Sequence, residues 1–270
     1  MKPPPTGLPE HEARRLLQLA TGLDAAGLGL LDALTPEQST RFEGYVDRRL
    51  AGEPLQYIEG TVPFGPVEVK VDPRVLIPRP ETEVLWERAV CALGTADDST
   101  VIVDLGTGSG ALALSLKHAF PAARVYATDI DPDALALARE NVEQAGVSVL
   151  RGDLFDALPF GMRGHVDLLI SNPPYVAEAD ELPAEVRERE PARALFAGPN
   201  GDEILVRIAQ QAFYWVKPGG WVFIEIGETQ ADRALELFAD FQCVVYQDLA
   251  GRPRILAGYR GETSCVEGTR

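Results

Sequence analysis

A short turn near the middle of the chain, Asn172-Pro173-Pro174-Tyr175, combines an amide, two prolines and an aromatic ring. It follows residues 166–171, a mainly apolar run that predicts a buried strand of a parallel sheet. Ligands of open α/β sheets bind beyond the carboxyl ends of such strands. The prolines fix φ and donate no N–H, so the turn is stiff and its carbonyls lack the usual partners. An asparagine side chain and a free carbonyl in a stiff turn are suited to binding a planar –NH2 group.

A glycine-rich loop forms a second candidate site. It follows an apolar segment, residues 101–105, and has the sequence Gly106-Thr107-Gly108-Ser109-Gly110. Glycines in such a loop allow positive φ and let the backbone pass close to a ligand. Asp129 ends the next predicted strand, where a carboxylate can accept hydrogen bonds from both hydroxyls of a ribose. NAD and S-adenosylmethionine both remain possible cofactors, because Gly-x-Gly-x-x-Ala also fits the dinucleotide fingerprint loosely.

Three further residues favour S-adenosylmethionine over NAD. Asp104 lies just before the glycines and could meet the methionine ammonium, directly or through water. A carboxylate at that position would gain nothing beside a pyrophosphate. Asp153 ends the third predicted strand and could accept from the adenine amino group, while Leu154 could pack on the adenine ring.

The glycine loop and the Asn-Pro-Pro-Tyr turn together resemble S-adenosylmethionine-dependent methyltransferases that act on an –NH2 group. Adenine-N6 DNA methyltransferases and glutamine-N5 protein methyltransferases share that turn. Other segments are similar to the bacterial release-factor glutamine methyltransferases, and Ile-Pro-Arg-Pro-Glu-Thr-Glu at residues 77–83 is the most specific of them. The resemblance extends from the N-terminal helices to about Tyr259, whereas residues 260–270 match nothing in the family. Leu154 is a departure, because some members carry an aromatic residue there.

The resemblance implies the substrate and a set of site residues. The substrate would be the glutamine in the Gly-Gly-Gln loop of class I peptide chain release factors, converted to N5-methylglutamine. As a hypothesis, Asn172 Oδ1 and the Pro173 carbonyl accept the two N–H groups of that amide, and Tyr175 covers it. The substrate is expected to contact Asn172, Pro173, Pro174, Tyr175, Phe64 and Arg79. The cofactor is expected to contact Asp104, Gly106, Thr107, Gly108, Ser109, Gly110, Asp129, Asp153, Leu154 and Asn172.

The elements that position these residues follow from periodicity and turn signals. Residues 9–50 predict helices, one of them starting with Thr35 as N-cap and Pro36 at the first helical position. From residue 100 onward, apolar strands alternate with amphipathic helices. The fold class is therefore α/β, a doubly wound, mostly parallel, seven-stranded methyltransferase sheet. We expect a helical substrate-recognition domain at residues 1–52, a β-hairpin linker at 53–75 and a methyltransferase domain at 76–270.

Within this scheme, the segment that includes Tyr57-Ile58-Glu59-Gly60 is assigned to the hairpin linker. Pro78 and Pro80 are expected to hold the following chain extended, with a helix opening at Glu81 or Thr82.

Composition limits the partners. The 270 residues carry 41 acidic and 25 basic side chains, a net charge of −16, and most of the excess lies in residues 76–270. Such a chain is a poor general partner for a phosphate backbone, so no nucleic acid is expected. No membrane span is expected, because no apolar run reaches about 18 residues. We also expect the protein to be cytoplasmic and monomeric. The scattered Cys91, Cys243 and Cys265 predict neither disulfides nor a metal site.

Three alternative functions remain from the residues alone. An adenine-N6 DNA or RNA methyltransferase would feed a flipped base into the same pocket, but it needs a basic groove and a target-recognition region. A NAD-dependent oxidoreductase would need a positioned His or Lys, and none is evident. A non-catalytic binding module is disfavoured because both motifs are intact.

Overall fold

The N-terminal part of the chain forms a small helical unit in the computed structural model, which describes residues 3–262. Its helices are α1 (Glu10–Thr21), α2 (Ala25–Leu30), α3 (Pro36–Leu50) and α4 (Leu55–Glu59). Thr35 and Gln38 form a capping box at the start of α3, and Pro36 occupies its first turn as the sequence predicts. The helices enclose an apolar cluster of their own, to which Leu55 and Ile58 of α4 belong. Helix α4, which lies beyond residue 52, therefore packs on the first three helices.

The segment before the large sheet differs from its sequence prediction in two places. Tyr57-Ile58-Glu59 is helical, not part of the hairpin, because Pro54 precedes α4 as its N-cap and Gly60 ends it in the left-handed conformation. The hairpin itself consists of β1 (Thr61–Phe64) and β2 (Val67–Lys70), paired antiparallel. Helix α5 (Pro80–Leu93) begins earlier than predicted. Pro80 stands at its first position, where the missing N–H costs nothing.

The catalytic part alternates strands and helices as the sequence predicts. In chain order they are β3 (Val101–Leu105), α6 (Ala111–Ala119), β4 (Arg124–Asp129), α7 (Pro132–Val142), β5 (Ser148–Arg151) and β6 (Val166–Ser171). An insertion that the sequence did not predict follows, with β7 (Val176–Ala177), α8 (Ala184–Arg189), α9 (Ala192–Leu195) and β8 (Phe196–Gly198). The chain ends with α10 (Glu203–Trp215), β9 (Val216–Glu225), α11 (Ala231–Leu237), β10 (Gln242–Gln247) and β11 (Pro253–Tyr259).

Seven strands form one sheet in the order β10-β11-β9-β6-β3-β4-β5. Strand β11 runs antiparallel to both neighbours, and the pairs from β9 to β5 are parallel. Apolar clusters cover both faces of the sheet. This confirms the predicted doubly wound, mostly parallel, seven-stranded architecture. Strands β3 and β6 are neighbours at the point where the strand order reverses, and the two sequence motifs follow their carboxyl ends.

Two remaining predictions concern the chain ends and membranes. Of the segment 260–270 that lacks family resemblance, residues 263–270 lie outside the described part of the structure, and Cys265 lies among them. Among residues 3–262, no helix is both long and apolar enough to cross a membrane.

Candidate active site

The Asn-Pro-Pro-Tyr turn leaves the sheet directly after β6. Ser171, the last residue of β6, donates its hydroxyl hydrogen bond to the Leu105 carbonyl at 2.7 Å, which joins the ends of β6 and β3. Pro173 is buried, whereas Asn172 and Tyr175 are half-buried. The turn is thus held at the switch point of the sheet, beside the loop that follows β3.

Hydrogen bonds fix both polar side chains of the turn. Asn172 Nδ2 donates to Thr82 Oγ1 at 2.9 Å, and the Tyr175 hydroxyl donates to Glu225 Oε1 at 3.2 Å. Burial and the nearby Glu225 carboxylate raise the pKa of the Tyr175 hydroxyl. The Tyr175 carbonyl accepts from Gln230 Nε2 at 3.3 Å, which anchors the back of the turn. Oδ1 of Asn172 remains for another donor.

The glycine loop bends tightly between β3 and α6. Gly106 and Gly108 adopt φ values of 70° and 53°, a region that residues with side chains rarely enter. Gly108 donates its backbone N–H to Asp129 Oδ2 at 3.0 Å, and Asp131 donates to Asp129 Oδ1 at 2.9 Å. Burial raises the pKa of Asp129, and these two hydrogen bonds oppose that rise. Each carboxylate oxygen keeps a lone pair for a further donor.

A cavity of about 400 Å³ lies over the glycine loop. This is the usual size of a small-molecule site. It brings together the predicted cofactor residues Gly106, Thr107, Gly108, Ser109, Asp129, Asp153, Leu154 and Asn172. Gly110, by contrast, does not line the cavity but caps α6 in the left-handed conformation. Positive-φ glycines, a carboxylate with spare lone pairs and this volume fit a nucleoside-bearing cofactor.

Asp104 is the predicted cofactor residue that belongs to β3. It is fully buried and does not line the cavity, and its contact with the methionine ammonium, directly or through water, stays a prediction. Its Oδ2 accepts from the Thr107 hydroxyl at 2.6 Å, and its Oδ1 has no hydrogen-bond partner among the described residues. Burial raises the pKa of Asp104 to about 7. Asp104 therefore reaches the cavity through Thr107.

The far end of the cavity carries Asp153 and Leu154. Asp153 Oδ2 accepts from Arg207 Nη2 at 2.7 Å, a partner that the sequence did not reveal. Leu154 has φ of 50° and is the only non-glycine residue with positive φ in the described part of the chain. Such strain is characteristic of functional sites. A Cβ on Gly152 would lie 2.6 Å from Ala157 Cα, which explains the glycine before this turn.

A second cavity of about 160 Å³ lies on the other side of the turn. Its walls include Asn172, Pro173, Pro174, Tyr175 and Arg79, all of which were predicted to contact the substrate. The two cavities share Leu76, Asn172, Pro174 and Ala194. Phe64, the remaining predicted substrate residue, lines the larger cavity and not the smaller one.

Arg79 is held in the wall of the smaller cavity by a buried carboxylate. Glu190 forms an ion pair with Arg79 and also accepts from the Ile77 backbone N–H at 3.1 Å. This joins the predicted extended segment to the insertion after the turn. Sequence reasoning missed the roles of Glu190, Thr82 and Glu225. The detectable signal for Glu225 was a lone carboxylate at the end of an apolar strand.

The described residues contain no group of three or more His, Cys, Asp or Glu side chains that could hold a metal ion.

Comparison with known proteins identifies the chain. The PrmC N-terminal domain family matches residues 5–60, and the Methyltransferase small domain family matches residues 89–195. The release factor glutamine methyltransferase of Mycolicibacterium smegmatis is 42% identical over 258 residues, covering 93% of this chain and 91% of the relative. That of Moorella thermoacetica is 42% identical over 268 residues, covering 94% and 92%. The chain belongs to the release factor glutamine methyltransferase family.

Membership of the release factor glutamine methyltransferase family confirms the resemblance read from the two motifs. It makes the chain an S-adenosylmethionine-dependent protein-(glutamine-N5) methyltransferase. The larger cavity is lined by Asp129 and by glycine-loop residues that the sequence predicts to contact the methyl donor. A methyltransferase from Pyrococcus furiosus aligns with a TM-score of 0.54 at 19% identity, covering 72% of this chain and 88% of that one. At that identity the similarity shows the fold alone.

Proposed function

We propose that this chain methylates the amide nitrogen of the glutamine in the Gly-Gly-Gln loop of class I peptide chain release factors, at the smaller cavity. The products are N5-methylglutamine and S-adenosylhomocysteine. The observation that carries the proposal is the meeting of the two cavities at Asn172 and Pro174. A methyl donor bound in the larger cavity and a glutamine amide bound in the smaller one would both lie against the Asn172 side chain.

The acceptor nitrogen needs positioning more than a base. Its lone pair is delocalised into the carbonyl, and its protons are not readily removed beforehand. Asn172 has committed Nδ2 to Thr82, so Oδ1 can accept one N–H of the glutamine amide. The Pro173 carbonyl is the proposed acceptor for the other N–H. Two acceptors in this arrangement aim the nitrogen and favour the positive charge that develops on it.

Tyr175 shapes the pocket and does not act as a base. Its hydroxyl donates to Glu225, and burial beside that carboxylate keeps its pKa raised, so the hydroxyl stays protonated at neutral pH. The ring is positioned to cover the flat face of the amide. When bound, S-adenosylmethionine supplies an electrophilic methyl group, and the proton leaves the nitrogen after transfer.

The helical unit is proposed to help bind the release factor. Arg49 of α3 forms an ion pair with Glu185 of α8 at 2.9 Å, and Arg189 of α8 donates to the Ala51 carbonyl at 2.5 Å. Val186 of α8 lines the smaller cavity. The helical unit thus supports one wall of the acceptor site, next to where a substrate loop would enter. As domain limits we keep 1–52, 53–75 and 76–270, with α4 packed on the first of these.

The proposed substrate is a protein and not a nucleic acid. The net charge of −16 opposes binding to a phosphate backbone, which disfavours an adenine-N6 methyltransferase. We further propose that the chain works as a monomer in the cytoplasm, where release factors act. Light scattering on the purified chain would test the monomer.

A radiolabel transfer assay tests the substrate class. The chain is incubated with methyl-labelled S-adenosylmethionine and, separately, with a release factor, the same release factor with its loop glutamine replaced by alanine, and DNA. We expect label only in the unaltered release factor. Label in DNA, or equal label in the altered release factor, would overturn the proposal.

A further inference from the structure

A row of hydrogen bonds runs behind Asn172 into the protein interior. Asn172 Nδ2 donates to Thr82 Oγ1 at 2.9 Å, and Thr82 Oγ1 donates to Glu225 Oε2 at 2.7 Å. Thr82 is 4% exposed and Glu225 is 1% exposed. The row joins the turn after β6, the first turn of α5 and the end of β9, three elements that are distant in sequence.

The number of protons available shows which atom donates and which accepts in each of these two hydrogen bonds. Burial raises the pKa of Glu225 to about 7, so these roles are those of the ionised form, above that pH. The Thr82 hydroxyl has one proton, and the ionised carboxylate can only accept. The proton of Thr82 therefore points to Glu225, and toward Asn172 the hydroxyl can only accept. Of the two polar atoms of the Asn172 carboxamide, only Nδ2 can donate. Oδ1 is consequently turned away from Thr82 and left for another donor.

We propose that Thr82 and Glu225 are positioning residues that fix the direction of the Asn172 carboxamide, so that Oδ1 and not Nδ2 meets the substrate amide. A carboxamide rotated by half a turn has nearly the same shape but the opposite hydrogen-bonding character. Nδ2 in the place of Oδ1 would present a donor to the N–H of glutamine and repel it. The inference rests on the proposed role of Asn172 as an acceptor.

Glu225 also fixes the other polar side chain of the turn. Its Oε1 accepts from the Tyr175 hydroxyl at 3.2 Å, so one buried carboxylate holds both Asn172, through Thr82, and Tyr175. The charge of Arg254 partly offsets the buried charge of Glu225. The guanidinium carbon of Arg254 also lies 5.6 Å from the centre of the Tyr175 ring. Burial raises the pKa of Glu225 to about 7, while the Thr82 hydrogen bond and the Arg254 charge lower it and Glu81 adds to the rise.

The test compares Thr82→Val, Thr82→Ser and Asn172→Ala by kcat, KM for a release factor and the Kd of S-adenosylmethionine. Valine has the shape of threonine without an acceptor, so it leaves Nδ2 unpaired whenever Oδ1 faces the substrate. We expect Thr82→Val to lower kcat by roughly 10-fold to 100-fold, because leaving a buried donor such as Nδ2 unpaired destabilises the productive orientation of Asn172 by about that factor. Thr82 also lines the larger cavity, so the Kd of S-adenosylmethionine is measured in every variant, and we expect it to change much less than kcat. Thr82→Ser keeps the hydroxyl and should restore most of kcat.

Two controls separate positioning from general stability. Thr100→Val removes a similarly buried hydroxyl before β3, at the amino end of the sheet, and should leave kcat unchanged. The double variant Thr82→Val with Asn172→Ala should be no slower than Asn172→Ala alone, because Thr82 is proposed to act on the substrate only through Asn172. Independent losses that multiply would contradict the inference.

Glu225→Gln keeps the test decisive if Thr82→Val fails to fold. Glutamine has the shape of glutamate, but its Nε2 can donate to Thr82 Oγ1. The Thr82 hydroxyl would then be free to donate to Asn172, which reverses both hydrogen bonds. We expect a lower kcat with an unchanged Kd for S-adenosylmethionine. Wild-type kcat in Glu225→Gln or in folded Thr82→Val would overturn the positioning role and leave the proposed function standing, provided that Asn172→Ala is impaired. Wild-type kcat in Asn172→Ala would overturn both.

Discussion

Asp129 accepts a backbone N–H at each carboxylate oxygen, from Gly108 at 3.0 Å and from Asp131 at 2.9 Å. It is therefore held rigidly in the wall of the larger cavity, with lone pairs left for ribose hydroxyls. Asn172 stands where the two cavities meet. These residues are proposed to serve different steps, one binding the methyl donor and the other presenting the acceptor.

Substitutions at these two positions should affect different constants. Asp129→Ala should weaken S-adenosylmethionine binding by roughly 10-fold or more, the size of losing charge-assisted hydrogen bonds, with a smaller change in kcat at saturation. Asn172→Ala should leave that Kd nearly intact while kcat falls by roughly 10²–10³, as for one aimed polar group. Calorimetry and steady-state kinetics measure both. The same constant changing in both variants would contradict the division.

Asp104 makes stability depend on pH in a predictable direction. Burial raises its pKa from 3.8 to about 7, so the folded state binds a proton more tightly than the unfolded state. Its contribution to stability is fully present below pH 3.8 and is lost as pH rises through about 7. Asp104→Asn stays neutral and can still accept from Thr107.

The unfolding free energy of the wild type, measured against Asp104→Asn in urea, should therefore fall as pH rises from about 5.5 to about 8. Both proteins keep the other carboxylates, so their titrations largely cancel in the difference. A difference that is flat with pH, or that rises, would show that Asp104 is not buried in this way.

At the scale of elements, the insertion between β6 and α10 supplies part of the wall of the smaller cavity, the proposed acceptor site. Gly201, which follows β8, approaches the Asn-Pro-Pro-Tyr turn so closely that a Cβ would lie 2.8 Å from the Tyr175 carbonyl oxygen. Gln230 joins the two, since its Nε2 donates to the carbonyls of both Gly201 and Tyr175 at 2.9 Å and 3.3 Å. The position of the turn therefore depends on backbone packing as well as on its prolines.

Gly201→Ala should displace the turn and lower kcat. Gly251→Ala is the matched control, because Gly251 has φ of 79° against 81° for Gly201 but has open space where its Cβ would stand. Both variants should lose stability, by about 1 kcal/mol or more, because alanine is strained at positive φ. Kinetics and thermal unfolding should show that only Gly201→Ala slows methyl transfer. Equal kcat in the two variants would mean that the turn tolerates displacement.

The sheet was predictable from the sequence because its strands are separate apolar runs with helices between them. Strand β3 is buried along its whole length, and both motifs lie at strand ends where the chain must turn. Helix α4 was predicted wrongly, because five residues are too few for a helical period to show. The insertion was missed because its elements have only two to six residues. It is also held by a contact that is distant in sequence, since Glu190 accepts from the Ile77 N–H 113 positions away.

The residues of the candidate site also fall into two groups, those that the sequence identifies and those that it does not. Residues in local motifs, such as Gly106 and Asn172, were identifiable from residue type and spacing. Glu225 was not, because its partner Thr82 lies 143 positions away in the chain. Asp104 was expected to meet the methionine ammonium directly or through water. The structure buries its carboxylate, and Oδ2 accepts from Thr107, which lines the cavity.

At the scale of the whole molecule, the helical unit and the methyltransferase part meet next to the acceptor cavity. Arg49 bonds to Glu12 of α1 at 2.7 Å and to Glu185 of α8 at 2.9 Å, and these contacts link the first helices to the wall of the smaller cavity. A release factor loop that enters this cavity would lie against both parts. We propose that the two parts together direct one methyl group to one glutamine of a protein loop.

Mass spectrometry of the release factor tests that claim most directly. The release factor is incubated with S-adenosylmethionine and either the wild-type chain or Asn172→Ala, then digested, and the peptide with the Gly-Gly-Gln loop is fragmented. We predict a mass increase of one methyl group on the glutamine side chain with the wild type, formed roughly 10²–10³ times more slowly with Asn172→Ala. A methyl group on another residue, an unmodified glutamine, or equal rates with both proteins would contradict the account.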